Sequence, residues 1–298
     1  MGSGHYCRAV PESKVSSRAS LDGLRFSLVG PGRVGKSVAG WAVAAGAELV
    51  AEAGRDGVAG FGSAGQDLLL IAVPDGVLAE VAERLATRPQ AAVALHTSGS
   101  LDAGVLAPLR AAGSAAGTLH PLKAFPRVLS APEEASGVFF GLDGEPAALA
   151  LARRLVAAWG GVAGEVPPAA RPLYHFAATL AAGGVATLLA TAGDLATRAG
   201  LPPEVARGYL ELARGTVAAA IATPASGAAL AAITGPVARG DLATVQSHFE
   251  ALKAAAPERL DLARELARET LRQVAAAQEP SPGHRALLAW LDEHQLRG

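Results

Sequence analysis

The sequence predicts an α/β fold with a mostly parallel sheet, followed by a second, all-α domain, and three observations predict it. Short apolar runs alternate with helical stretches through the first half, the pattern of parallel strands joined by crossover helices. A glycine-rich turn follows the first of these runs, between strand and helix. Beyond Pro167-Pro168 no strand pattern survives, and long alanine-rich stretches of helical character fill the rest.

Taken in order, Arg25 to Val29 reads as a strand, Arg33 to Ala45 as a helix and Glu48 to Ala53 as a second strand. Together they make a unit of about 30 residues, the size of a βαβ motif. Asp67 to Val73 (DLLLIAV) is almost continuously apolar, as a strand buried on both faces must be. Pro74-Asp75-Gly76 stops it, and a helix runs on to about Ala86. Further strands are expected at Ala91 to Leu95, Ala115 to Leu119, Val138 to Phe140 and near Val162 to Val166, with a helix at Pro146 to Trp159 before the last. Helices are then expected at Ala169 to Ala199, Pro203 to Ala222, Asp241 to Leu252, Pro257 to Ala277 and Arg285 to His294. The organisation read from this is a loose tail over 1–22, a dinucleotide-binding domain over 23–167 and a helical domain over 168–298.

Composition narrows the function classes. A chain of 298 residues that is 50% hydrophobic has enough apolar side chains for two cores. The single cysteine, Cys7, has no partner in the chain, which fits a reducing compartment and a cytoplasmic location. A net charge of -1 argues against a nucleic-acid or anionic-membrane surface. The leader lacks the apolar segment of a secretory signal. Phe176 to Gly193 is uncharged and nearly long enough to span a bilayer, but it is mostly Ala, Gly and Thr, so a buried helix is expected there.

Gly30-Pro31-Gly32-Arg33-Val34-Gly35-Lys36-Ser37 satisfies two phosphate-binding patterns. As G-x-G-x-x-G, Gly30 makes the tight turn, Gly32 lets backbone approach a pyrophosphate and Gly35 allows close helix packing. As G-x-x-x-x-G-K-S it is the P-loop of a nucleoside triphosphatase, with Lys36 on the terminal phosphates and Ser37 on magnesium. The strand before and helix after favour the dinucleotide reading, that is, a Rossmann-like domain. Arg55 lies at the end of the second strand, about 20 residues past Gly35, where the ribose is recognised. An arginine there favours the 2′-phosphate of NADP(H), while the neighbouring Asp56 leaves NAD(H) open.

Other strand ends carry the chemistry-bearing residues, because in open parallel sheets the ligand crevice lies at the carboxyl edge. Val73-Pro74 would pack against the cofactor. Thr97 and Ser98 in His96-Thr97-Ser98-Gly99 would bind the nicotinamide carboxamide or substrate, or else serve as turn caps. His120 and Lys123 follow another strand end; Lys123, one of four lysines, would polarise a carbonyl or bind a carboxylate. Tyr174-His175 opens the helical half, and His175 is a candidate proton donor. Thr234-Gly235-Pro236 breaks the helices, and Arg239-Gly240-Asp241 restarts them. Asp241, Thr244 and His248 share one helix face, either a solvated face capped by Asp241 or a substrate-binding stripe beside Thr234, with Arg239 taking a carboxylate.

These motifs together, Gly30 to Gly35, His96 to Gly99, His120-Pro121-Leu122-Lys123, Leu173-Tyr174-His175 and Thr234 to Asp241, resemble a bacterial family. That family pairs a Rossmann-like NADP-binding domain with a helical C-terminal domain of unknown function. It is similar to the 6-phosphogluconate and β-hydroxyacid dehydrogenase group, including ketopantoate reductases, pyrroline-carboxylate reductases and deazaflavin-dependent NADP oxidoreductases. The resemblance implies reduction of a branched 2-oxo acid and dimerisation through the helical domain. Where related chains often carry a helical Asn after the Tyr-His pair, this one has Gly183-Gly184. The rival functions are a dinucleotide-binding sensor without turnover and a P-loop nucleoside triphosphatase.

Overall fold

The computed structural model describes residues 19–222 and 233–293, apart from the side chains of Arg55 and Asp56. The chain divides into two compact units, Met1–Ala182 and Gly183–Gly298.

The first unit holds a seven-stranded sheet, made of β1 (Arg25–Val29), β2 (Glu48–Ala53), β3 (Leu68–Ile71), β4 (Val93–His96), β5 (Ala115–Pro121), β6 (Phe139–Gly144) and β7 (Val162–Glu165), in the order β2-β1-β3-β4-β5-β6-β7. All neighbours run parallel except β5 and β6. The chain passes from β1 to β2 on one side and then crosses to β3 on the other, which makes the carboxyl ends of β1 and β3 the switch point where ligands bind in such sheets. Helices α1 (Arg33–Ala44), α2 (Asp75–Leu85), α3 (Ala107–Ala111) and α4 (Pro146–Trp159) connect the strands, and α5 (Arg171–Thr179) follows β7.

Strand β3 shows why the sheet forms. Leu68 and Leu70 enter a core with Phe26, Trp41, Leu95, Phe140 and Trp159, while Leu69 and Ile71 enter another with Leu78, Val81, Leu85 and Leu109. Alternation sends successive side chains to opposite faces, so a strand covered on both faces must be apolar at every position.

In the second unit α6 (Val185–Arg198) pairs with α7 (Glu204–Ala222). A separate small core, Val245, Leu271, Leu287 and Leu291, joins α8 (Pro236–Arg239), α9 (Leu242–Ala255), α10 (Leu260–Ala277) and α11 (Pro282–Glu293). Between α5 and α6 the helical run passes through a π turn, Leu180–Gly184, that contains Gly183 and Gly184. The burial expected for Phe176 to Gly193 is not found. Pro168–Arg198 is a helical run long and apolar enough to cross a membrane, with none of its apolar window buried. Leu173, Phe176 and Leu180 are 74%, 58% and 55% exposed.

Candidate active site at the strand ends

The glycine loop is shaped by three different demands. Gly30 has φ +91°, and a side chain there would place its Cβ 2.4 Å from the Ala72 carbonyl oxygen. A Cβ on Gly35 would lie 2.2 Å from the Gly30 oxygen, so the helix closes onto the turn only without one. Gly32 is the opposite case: nothing lies within 4 Å of a Cβ built on it. It stands at the N-cap of α1, which has no side-chain cap and no acidic residue in its first turn. The first-turn N–H groups of α1 therefore face open space beside Gly32, the arrangement that accepts a phosphate.

Ser37 settles the competing pattern. It is fully buried; its hydroxyl donates to the Arg33 carbonyl at 2.7 Å and accepts from the Ser130 N–H at 3.0 Å. A magnesium-binding serine must face the phosphates, so the P-loop reading is corrected: Ser37 pins the segment around Ser130 to α1.

A cleft of about 370 Å³ opens at this edge, lined by Gly32, Arg33, Val34, Ala72, Val73, Pro74, Asp75, Thr97, Ser98, Gly99, His120 and His175. It brings together cofactor-loop and chemical candidates that lie far apart in the sequence. A larger hollow of about 570 Å³ lies between α10 and α11, but its Arg268 pairs with Glu265 and Asp292, so size does not mark the site.

The His96-Thr97-Ser98-Gly99 turn is held from inside. His96 is fully buried; its Nε2 lies 3.1 Å from the Asp102 carbonyl, which can only accept, and its Nδ1 accepts from the Ser98 N–H at 3.2 Å. Burial pushes its pKa down to about 4, so the ring is neutral at physiological pH. The Ser98 hydroxyl accepts from the Leu101 N–H at 3.1 Å, which makes it a turn cap, while Thr97 donates its N–H to Ile71 and borders the cleft. Gly99 lets the turn pass close to two rings, since a Cβ there would lie 2.6 Å from His175 Cδ2 and 2.7 Å from His120 Nε2.

His120 and His175 meet edge to face with centroids 6.0 Å apart. His120 Nδ1 is 2.8 Å from the Tyr174 hydroxyl. Its pKa falls to about 4, first through burial and then through the charges of His175 and Arg171. Arg171 is fully buried; its guanidinium donates to Thr118 Oγ1 and, at 3.5 Å, to the Ser98 carbonyl, with the Asp143 carboxylate 4.0 Å away. Among the described residues its Nε has no hydrogen-bond partner. Arg171, Tyr174 and His175, spaced i, i+3 and i+4, thus share one face of α5 directed at the strand ends.

Other candidates lie elsewhere. Lys123 does not line the cleft: its ammonium donates to Glu134 at 3.1 Å, and this bond, with those from Ala131 and Ser130, holds the Glu134 pKa down near 2. Arg55 opens a 3-10 turn, Arg55–Val58, and its side chain falls outside the described residues. In the second unit Asp241 caps α9 by accepting from the Thr244 N–H at 3.2 Å and its hydroxyl at 2.7 Å. Thr234, Arg239 and His248 are exposed. The neighbouring turn is stapled by His284, whose Nε2 donates to the Ala238 carbonyl at 2.9 Å.

Sheet order, glycine loop and strand-end cleft define a two-domain protein with a Rossmann-like first domain and a helical second one. Residues 58–121 match the family model of a Rossmann-like domain, and residues 138–270 match that of a domain of unknown function, DUF2520; the chain joins these two domains. Solved structures of the same fold include a protein of Thermotoga maritima (21% identity, TM-score 0.65, covering 86% of this chain and 100% of that one). A candidate NADP oxidoreductase of Bacteroides fragilis is similar too (19% identity, TM-score 0.67, 84% and 98%). So is pyrroline carboxylate reductase of Plasmodium falciparum with NADP bound (13% identity, TM-score 0.52, 84% and 98%). No curated protein matches the sequence.

Proposed function

We propose that this chain is a cytoplasmic NAD(P)H-dependent oxidoreductase that reduces a small 2-oxo acid, ketopantoate first among candidates. One observation carries the reading: an uncapped, acid-free helix N-terminus beside the open Gly32 shares a single cleft with His120 and His175. The loop fits a dinucleotide, being tight at Gly30 and Gly35 and open at Gly32, the pattern a pyrophosphate site calls for. The first-turn N–H groups of α1 would hold the pyrophosphate, Arg55 the 2′-phosphate that favours NADPH, and Val73, Pro74 and Thr97 would border the ring. The bound cofactor supplies the hydride.

The chain's own residues supply the proton and the binding. His175, on the cleft wall, is the proposed proton donor to the developing alkoxide, and His120 supports it. With Lys123 held by Glu134, proton chemistry falls to the histidines. The bare apolar positions Leu173, Phe176 and Leu180 fit packing against a second copy, and sedimentation would then report a dimer.

The test is consumption of NADPH and of NADH with a panel of 2-oxo acids. Turnover that falls in His175→Ala, with dinucleotide affinity kept, supports the reading. Tight NADPH binding with no hydride transfer across the panel would leave the sensor reading, which rests on Gly183-Gly184 standing where related chains often carry a helical Asn.

A further inference from the structure

The role of Tyr174 follows from its packing against His120 on the face that α5 turns toward the strand ends. Its hydroxyl lies 2.8 Å from His120 Nδ1, and the two rings meet at 84° with centroids 5.4 Å apart. The phenol fits there because position 141 is glycine: a Cβ on Gly141 would lie 2.9 Å from the Tyr174 oxygen. His120 also lines the cleft, and its Nε2, across the ring from Nδ1, would lie 2.7 Å from a Cβ on Gly99, which lines the cleft too.

We infer that Tyr174 is a positioning residue: its O–H donates to His120 Nδ1, which leaves the imidazole hydrogen on Nε2 and presents it, from an uncharged ring, to the cleft. The hydrogen-bond inventory decides the direction. A phenol has one proton, and among the described residues His120 Nδ1 is the sole hydrogen-bond partner of that hydroxyl. If Nδ1–H donated instead, the half-buried phenol proton would have no acceptor among the described residues, whereas Nε2 can be satisfied from the cleft. Of the groups facing His120, only the Asp75 carboxylate favours a charged ring, and burial outweighs it. Tyr174, His175 and Arg171 from α5, His96 from the end of β4 and Asp75 from the start of α2 surround it, and two of the nearby charges, those of Arg171 and His175, oppose protonation. Burial raises the Tyr174 pKa, so the phenol keeps the proton it donates.

His120 then acts as a neutral donor toward an oxygen that gains charge, a role in which imidazole is useful without being an imidazolium. Its use in turnover rests on the reductase reading above; the tautomer does not. Nitrogen NMR of protein labelled in its histidine rings, with His120 assigned by its loss in His120→Gln, reads the tautomer directly at neutral pH. The expected result is a protonated Nε2 and an unprotonated, hydrogen-bonded Nδ1 in the wild type, with both tautomers populated in Tyr174→Phe. The same variant should lose roughly five- to tenfold in kcat, the worth of one neutral hydrogen bond, while NADPH affinity stays unchanged. A protonated Nδ1 in the wild type, or an unaltered tautomer in Tyr174→Phe, overturns the inference; the wild-type spectrum decides alone if the variant fails to fold. The expected tautomer without hydride transfer would sink the reductase reading and leave the assignment of Tyr174 standing.

Discussion

The His120–Tyr174–His175 cluster in the first unit and the Thr234 to Asp241 segment in the helical unit are alike as sequence: polar residues beside glycine at the ends of elements. They differ in where their polar atoms point. Around Asp241 the geometry is closed, because the carboxylate caps α9 through Thr244 and His284 donates to the Ala238 carbonyl. At the strand ends, His120 and His175 line an open cleft next to an uncapped helix terminus. A polar group satisfied within the protein builds structure, and one that borders a cleft is available for chemistry.

The largest expected effect sharpens that contrast. His175→Ala should lower kcat by about 10²- to 10⁴-fold at unchanged NADPH affinity, the worth of a positioned acid–base group, and His120→Ala by about 10²- to 10³-fold, the worth of a neutral donor to the developing charge. Asp241→Ala should leave kcat near the wild-type value, and steady-state kinetics on the three variants would break the comparison if the order were reversed.

Two glycines come next. Gly30→Ala and Gly240→Ala both force a side chain onto a left-handed backbone, with Cβ 2.4 Å from the Ala72 oxygen and 2.7 Å from the His284 nitrogen respectively. Each should cost on the order of 1–3 kcal/mol or more of stability. In calorimetry and fluorescence titration, Gly30→Ala alone should also abolish dinucleotide binding.

Acid stability follows from His96. Its folded pKa lies near 4 against 6.5 when free, so the unfolded chain takes up a proton that the folded protein refuses. Stability should be full above pH 6.5, fall as pH drops toward 4 and lose nothing more from this group below that. The change is on the order of 3 kcal/mol. Denaturant midpoints across this window should fall less steeply in His96→Gln, with the remaining slope due to His120, whose folded pKa also lies near 4. The smallest effect belongs to Asp241→Ala, a modest drop in melting temperature from the lost cap. Because the hydrogen bonds from Thr244 hold its pKa down, the capping contribution should be present above the ordinary carboxylate range and vanish as pH falls through the lowered value.

Much of the sheet was legible because punctuation coincided with periodicity: β1, β2 and α4 begin and end where Gly, Pro and the apolar runs place them. The antiparallel pairing of β6 was not legible, since a short apolar strand does not encode the direction of its neighbour. Lys123 drew attention by its rarity, yet its partner Glu134 sits only 11 residues further on in a turn whose fold local sequence does not reveal. Arg171 carries no signal of its own in the sequence, although its spacing to Tyr174 and His175 is helical. What was missing was that an arginine at the first position of α5 would be fully buried, which depends on Thr118, Ser98 and Asp143 arriving from three other elements. The stretch from Phe176 misled because an apolar run encodes a helix but not whether its own chain supplies the elements that cover it.

The most direct test of the dinucleotide site is NADPH titration of Gly32→Asp. The backbone at Gly32 is extended, with φ −81° and ψ −168°, and a Cβ there meets nothing within 4 Å. Aspartate is also a favoured N-cap, so the variant should fold with an equal or higher melting temperature. Its carboxylate would occupy the space assigned to the pyrophosphate, where like charge costs several kcal/mol, so NADPH affinity should fall by about a hundredfold or more. Undiminished NADPH binding by this folded variant would contradict the assignment of the loop.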